Sequence, residues 1–232
     1  MMPTEIIETL KSLNPISIFV YGSKAVNETN SKSDHEIGIV FNEDNYVSRS
    51  EIKDLINNSK YSIFPFRLSE LKNYTIDTPF QKIIFINSLK FGNSKTIYGE
   101  QLIETLSPPP ITTLDLLSDT YFNLGYALSC VRIYKCGNID LANDMFTKSV
   151  FYSTRNYIYF KTKKLIVGYN NIYNQAKKLK LPNTYKELLE NAYNIRNEKT
   201  YKSNPKLYFT NITYINKFII PQLEENLKNK LN

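Results

Sequence analysis

The chain has 232 residues, 42% of them apolar and 13% aromatic, with no Trp. That length builds one large domain or two small ones with real cores, and that apolar share excludes wholesale disorder. A formal charge of +7 points to an anionic partner such as a nucleotide or nucleic acid, or equally to a Lys- and Asn-rich surface.

His35 is the sole histidine. This excludes Ser-His-Asp and Cys-His nucleophilic sites within the chain, as well as metal sites built on paired histidines. Cys130 and Cys136 match no zinc or redox spacing, and a reducing, cytoplasmic setting fits them best. The start, "MMPTEIIETLKSLNP", is acidic and amphipathic and has no secretion-signal core. No apolar run is long enough to span a membrane, so no membrane partner is expected.

In chain order, residues 5–13 predict a helix capped by Thr4. "ISIFVYG" is a β-rich apolar run ending at Gly22, a buried strand. "SKAVNETNSKS" predicts a short helix or turn and a polar loop, and "HEIGIVF" a second strand. "SRSEIKDLINN" carries Ile52, Leu55 and Ile56 at helical spacing, with Ser48 or Ser50 as cap. "YSIFPFRL" is a third strand, and its Pro65 predicts an edge position or a bulge. "SELKNY" and "TPFQKIIFINSL" have helical spacing, and "FGNSKTIYGEQL" reads as a turn and a short strand.

"LSPPPITT" is the clearest linker, because consecutive prolines continue neither a helix nor a central strand. Beyond it, residues 114–136 and the stretches "ANDMFTKSVFYSTRNYIYFKTKKL", "NNIYNQAKKL", "TYKELLENAYNIR" and "ITYINKFIIPQLEENLK" all have helical spacing. The expectation is an α+β chain. A mixed-sheet domain over residues 1–106 and a linker over 107–112 lead into an all-α bundle of about five helices over 113–232.

Asp34 and Glu36 are two apart at the head of the second strand, so they project to one side. Two like charges there are costly unless a cation lies between them, and all-oxygen ligands favour Mg²⁺ or Mn²⁺. Gly22-Ser23 closes the preceding strand. A glycine there lets backbone N–H groups approach an anion, and the hydroxyl can bond a phosphate oxygen. Together these parts are the apparatus of phosphoryl or nucleotidyl transfer.

A Gly-Ser turn, a loop and Asp-x-Asp/Glu on the next strand resembles the DNA polymerase beta-type nucleotidyltransferase superfamily. Gly22, Ser23, Asp34 and Glu36 carry the resemblance, between "SIFVYGS" and "IGIVF". With a helical domain following, the chain looks most like the aminoglycoside (kanamycin-type) nucleotidyltransferases and the minimal nucleotidyltransferases with a helical C-terminal domain. The Ser-Asp-x-Glu of that group stands here as "SDHE".

The resemblance implies an enzyme that transfers an NMP from ATP or another nucleoside triphosphate to a hydroxyl of a small-molecule acceptor, releasing pyrophosphate. It makes Asp34 and Glu36 the catalytic and metal-binding residues, and Gly22, Ser23 and Lys24 the nucleotide-binding ones. Transfer to tRNA or to a protein side chain, or a nucleotide-binding module without turnover, remain alternatives, as does a homodimer.

Two positions depart from the family pattern. The superfamily's third carboxylate falls at Ser62 or Phe64, with Glu70 and Asp77 lying beyond the strand. The base that aminoglycoside enzymes take from the first helix of the second domain falls at Gly125, with Asp115 and Asp119 on the same predicted helix. Arg132 and Arg155, amid apolar residues, either hold the triphosphate or acceptor or form structural ion pairs. Lys161, Lys163, Lys164, Lys177, Lys178 and Lys180 form basic clusters near tyrosines, a nucleic-acid surface or a solvated helix face. The helical region contains no histidine, which argues against the Arg-x-x-x-x-x-His ribonucleases of the toxin type.

Overall fold

The computed structural model describes residues 4–29, 33–78, 81–199 and 205–231. The chain divides into two compact units, Met1–Pro110 and Ile111–Asn232.

The first unit is built on one mixed four-stranded sheet in the order β3-β2-β1-β4. Helix α1 (Thr4–Lys11) precedes β1 (Ser17–Tyr21), and a 3₁₀ turn at Gly22–Lys24 follows it. Part of the polar loop predicted after this turn, residues 30–32, lies outside the described residues. Strand β2 (His35–Phe41) pairs antiparallel with β1 and parallel with β3 (Tyr61–Arg67).

The "HEIGIVF" pattern explains the central place of β2. Ile37, Ile39 and Phe41 face one core with Leu10, Ile18, Ile52 and Ile63. Val40 faces the other with Phe19, Tyr21, Phe66, Ile86, Leu102 and Ile103. Gly38 also lies on that second face, where a Cβ would come within 2.1 Å of the Phe19 ring. The glycine therefore makes room for an aromatic ring on the neighbouring strand.

Helix α2 (Arg49–Leu55) starts at a capping box. Ser48 Oγ accepts from the Glu51 amide, and Glu51 Oε2 accepts from the Ser48 amide at 2.8 Å. Strand β3 is an edge strand, as Pro65 predicts. Helices α3 (Leu68–Lys72) and α4 (Lys82–Ser88) follow. The predicted start of α4 includes Pro79 and Phe80, which lie outside the described residues. After a kink at Phe91 and Gly92, β4 (Ser94–Gly99) returns antiparallel beside β1 and forms the other edge. A short α5 (Leu102–Thr105), absent from the sequence reading, closes the unit.

The second unit is all helix among the described residues. Helix α6 (Thr113–Lys135) starts at a capping box of Thr112 with Asp115, and the chain turns at Gly137 into α7 (Ile139–Thr162). Helices α8 (Tyr169–Ala176) and α9 (Asn183–Arg196) follow. Helix α10 (Pro205–Thr213) runs through a π-helical stretch, Tyr214–Ile219, into α11 (Ile220–Leu231). The widened turns immediately precede Pro221, which has no N–H to give and would crowd the carbonyl four residues back in a regular helix. Phe146, Phe151, Tyr208 and Tyr214 are fully buried, so much of the helical aromatic pattern is core.

Candidate active site

Strand β1 ends where β2 begins, and the paired strands set Tyr21 opposite Glu36. The next residue, Gly22, has φ +69, a conformation that favours glycine. A Cβ at Gly22 would lie 1.8 Å from Glu36 Oε2. The carboxylate of Glu36 thus rests against the turn that carries Ser23 and Lys24, which brings the two halves of the sequence motif together.

Asp34 stands just before β2 and is half-buried. Its Oδ2 accepts a 2.6 Å hydrogen bond from Ser62 Oγ. Parallel pairing also sets Ser62 beside Glu36. Of the two positions, Ser62 and Phe64, at which the family resemblance expects a third carboxylate, the first holds a hydroxyl that tethers Asp34. Glu70 is committed locally: it accepts from the Arg67 amide at 2.9 Å and pairs with the Arg67 guanidinium at 3.3 Å. Among the described residues, no group of three or more His, Cys, Asp and Glu side chains is placed to hold a metal ion.

Tyr21 is buried beside these groups. Burial pushes its phenol up from the ordinary range, and the charges of Glu36 and Asp34 push the same way against the opposing charge of Arg49. Arg49 is the residue the sequence reading missed. Its guanidinium lies 4.0 Å from the centroid of the Phe64 ring on the edge strand. A signal was present: Arg49 is the first residue of α2, where a positive charge opposes the helix dipole.

His35 points away from the two acids, as alternation requires. Its ring stacks on Tyr61 with centroids 5.1 Å apart. Burial holds its pKa below the usual value, helped by the charge of Lys24.

In the helical unit, the two aspartates considered as bases are both occupied. Asp115 Oδ2 accepts from the Thr112 amide at 2.8 Å and from its hydroxyl at 2.6 Å. Asp119 is buried, and its Oδ2 takes hydrogen bonds from Arg155 (3.0 Å), Asn123 (3.0 Å) and Asn156 (2.8 Å). Arg155 therefore forms a structural ion pair, one of its two sequence readings. Arg132 is exposed, as is Gly125, around which a Cβ would meet only open space.

No family profile and no curated protein matches the sequence. Among solved structures, it is similar to the crystal structure of spectinomycin adenyltransferase AAD(9) from Enterococcus faecialis with ATP and spectinomycin. The match has a TM-score of 0.58 at 17% identity and covers 96% of this chain and 100% of that one. No helix among the described residues is long and apolar enough to cross a membrane. The α+β architecture expected from the sequence, a mixed sheet followed by helices, is the one found: this chain shares the fold of spectinomycin adenyltransferase AAD(9).

Proposed function

We propose that this protein is a nucleotidyltransferase that moves an NMP, in the first instance AMP from ATP, to a hydroxyl of a small-molecule acceptor, with release of pyrophosphate. The observation that carries this reading is the placement of the Glu36 carboxylate against Gly22, with Asp34 tethered beside it by Ser62. The likeness to a protein crystallised with ATP and spectinomycin supports a nucleotide donor and a small-molecule acceptor.

The donor set fits Mg²⁺ or Mn²⁺. Asp34, Glu36 and the neighbouring hydroxyls offer only hard oxygens, and Mg²⁺ is commonly held by one or two carboxylates plus substrate phosphates and water. When bound, such an ion supplies charge neutralisation around the α-phosphorus. The chain's own residues do the positioning. The Gly22–Lys24 turn offers backbone amides and the Ser23 hydroxyl to the phosphates, and Ser62 fixes the rotamer of Asp34.

The test is calorimetric titration of ATP, with and without Mg²⁺, into wild type and an Asp34→Asn, Glu36→Gln double variant. Metal-dependent binding that disappears in the variant is expected. Metal-dependent binding that survives there removes these carboxylates from the site.

A second reading, nucleotide binding without turnover, is favoured by one observation: neither Ser62, whose hydroxyl bonds Asp34, nor Phe64 supplies the third carboxylate that the resemblance expects. Pyrophosphate release on presentation of hydroxyl acceptors separates the two. Transfer requires it, and a silent binder gives none.

A further inference from the structure

The helical unit contains a groove of about 450 Å³ between the start of α9, helix α10 and the π-helical stretch that follows it. Three aromatic side chains line it: Tyr185, Phe209 and Phe218. Tyr185 and Phe218 form a tilted pair with centroids 5.1 Å apart, and Phe209 is 56% exposed. Thr184, Thr210, Thr213 and Lys206 add polar groups to the lining. None of the residues lining the groove is acidic. Phe218 also packs on Tyr157, over whose ring Lys161 lies at 5.2 Å, so a second cation flanks the aromatic floor.

Each part selects for a chemistry. An exposed aromatic ring such as Phe209, beside the partly buried Tyr185 and Phe218, takes a planar ring by stacking, with little dependence on its substituents. Hydroxyls take ring nitrogens or sugar hydroxyls. A lysine without a carboxylate in the lining takes an anion. The volume suits a ligand of nucleotide size.

We propose that this groove binds a nucleotide, with its base stacked on Phe209 and Tyr185 and its phosphate at Lys206. The lining comes wholly from the helical unit, and the site does not depend on the function proposed for the carboxylates of the first unit. A free mononucleotide and an unpaired base of a nucleic-acid strand present the same chemistry to it.

The test uses the full chain, both as wild type and with Asp34→Asn and Glu36→Gln, so that binding at the carboxylates is removed without touching the groove. AMP and a twelve-residue oligoadenylate are titrated in the absence of divalent cations. Binding is followed by ligand-observed NMR. Phe209→Ala and Lys206→Gln, both changes at exposed positions, are each expected to weaken binding at least tenfold while circular dichroism stays unchanged. Binding of AMP alone identifies a free nucleotide as the ligand. Tighter binding of the oligonucleotide, falling steeply with salt, identifies a strand. If neither probe binds at millimolar concentration, or if either substitution leaves binding unchanged, the proposal is overturned.

Discussion

Glu36 Oε2 fills the space that a side chain on Gly22 would need, 1.8 Å from the position of a Cβ. Gly22→Ala therefore does two things. It strains a backbone held at φ +69, and it pushes the carboxylate off the turn. We expect the variant to fold, to lose about 1 kcal/mol or more of stability, and to bind ATP with Mg²⁺ at least tenfold more weakly. Thermal unfolding and calorimetry check the two effects separately. Wild-type affinity in this variant would detach the glycine from the proposed nucleotide site.

Ser62 restrains Asp34 from the neighbouring parallel strand. Groups that orient a metal ligand are commonly worth about 10–100-fold in metal affinity. Ser62→Ala is expected to weaken Mn²⁺ binding within that range. Ser62→Asp adds a carboxylate beside Glu36 and is expected to tighten it. Electron paramagnetic resonance of free Mn²⁺ reads both changes. A tighter Ser62→Ala site would mean that the hydroxyl competes for Asp34 rather than presenting it.

Asp119 and Arg155 are a buried pair, with side chains 6% and 12% exposed. Removing one partner leaves the other charge uncompensated in the helical core. Asp119→Ala is expected to cost about 3–5 kcal/mol in urea unfolding. Asp119→Ala combined with Arg155→Met is expected to recover part of that loss, because no lone charge remains. If the double variant is no more stable than the single one, the polar network with Asn123 and Asn156 carries the stabilisation instead of the charge pair.

The two cysteines should differ sharply in reactivity. Burial pushes the Cys130 thiol up to about 12, so it stays protonated at neutral pH, whereas Cys136 is exposed. Brief maleimide treatment of the native protein near neutral pH is expected to modify one thiol, on the peptide containing Cys136. Denaturant should expose the second. Equal labelling of both under native conditions would show that α6 opens readily near Cys130.

The central strand was legible because its pattern is local: alternation in "HEIGIVF" sends Ile37 and Ile39 one way and Glu36 and Val40 the other. Pro65 likewise announced an edge by its own chemistry. The cap of α2 follows a short-range rule and falls on Ser48, one of the two serines expected. What stayed hidden depends on pairings distant in sequence. The return of β4 sets Gly99 opposite Ser17, and the bond from Ser62 to Asp34 needs the register of β2 with β3. The arrangement of Asp119, Asn123, Arg155 and Asn156 required two long helices to come together face to face. Arg49 was visible only as a charge in an unfavourable place, and the ring it covers lies on β3.

Pro65 has one more consequence. An outer strand offers its unpaired amides as a template on which another chain can lengthen the sheet. Pro65 lies inside β3 and has no amide hydrogen to offer, so it breaks that row of donors before the strand ends. The interruption makes this side of the sheet a poor seed for strand-by-strand growth.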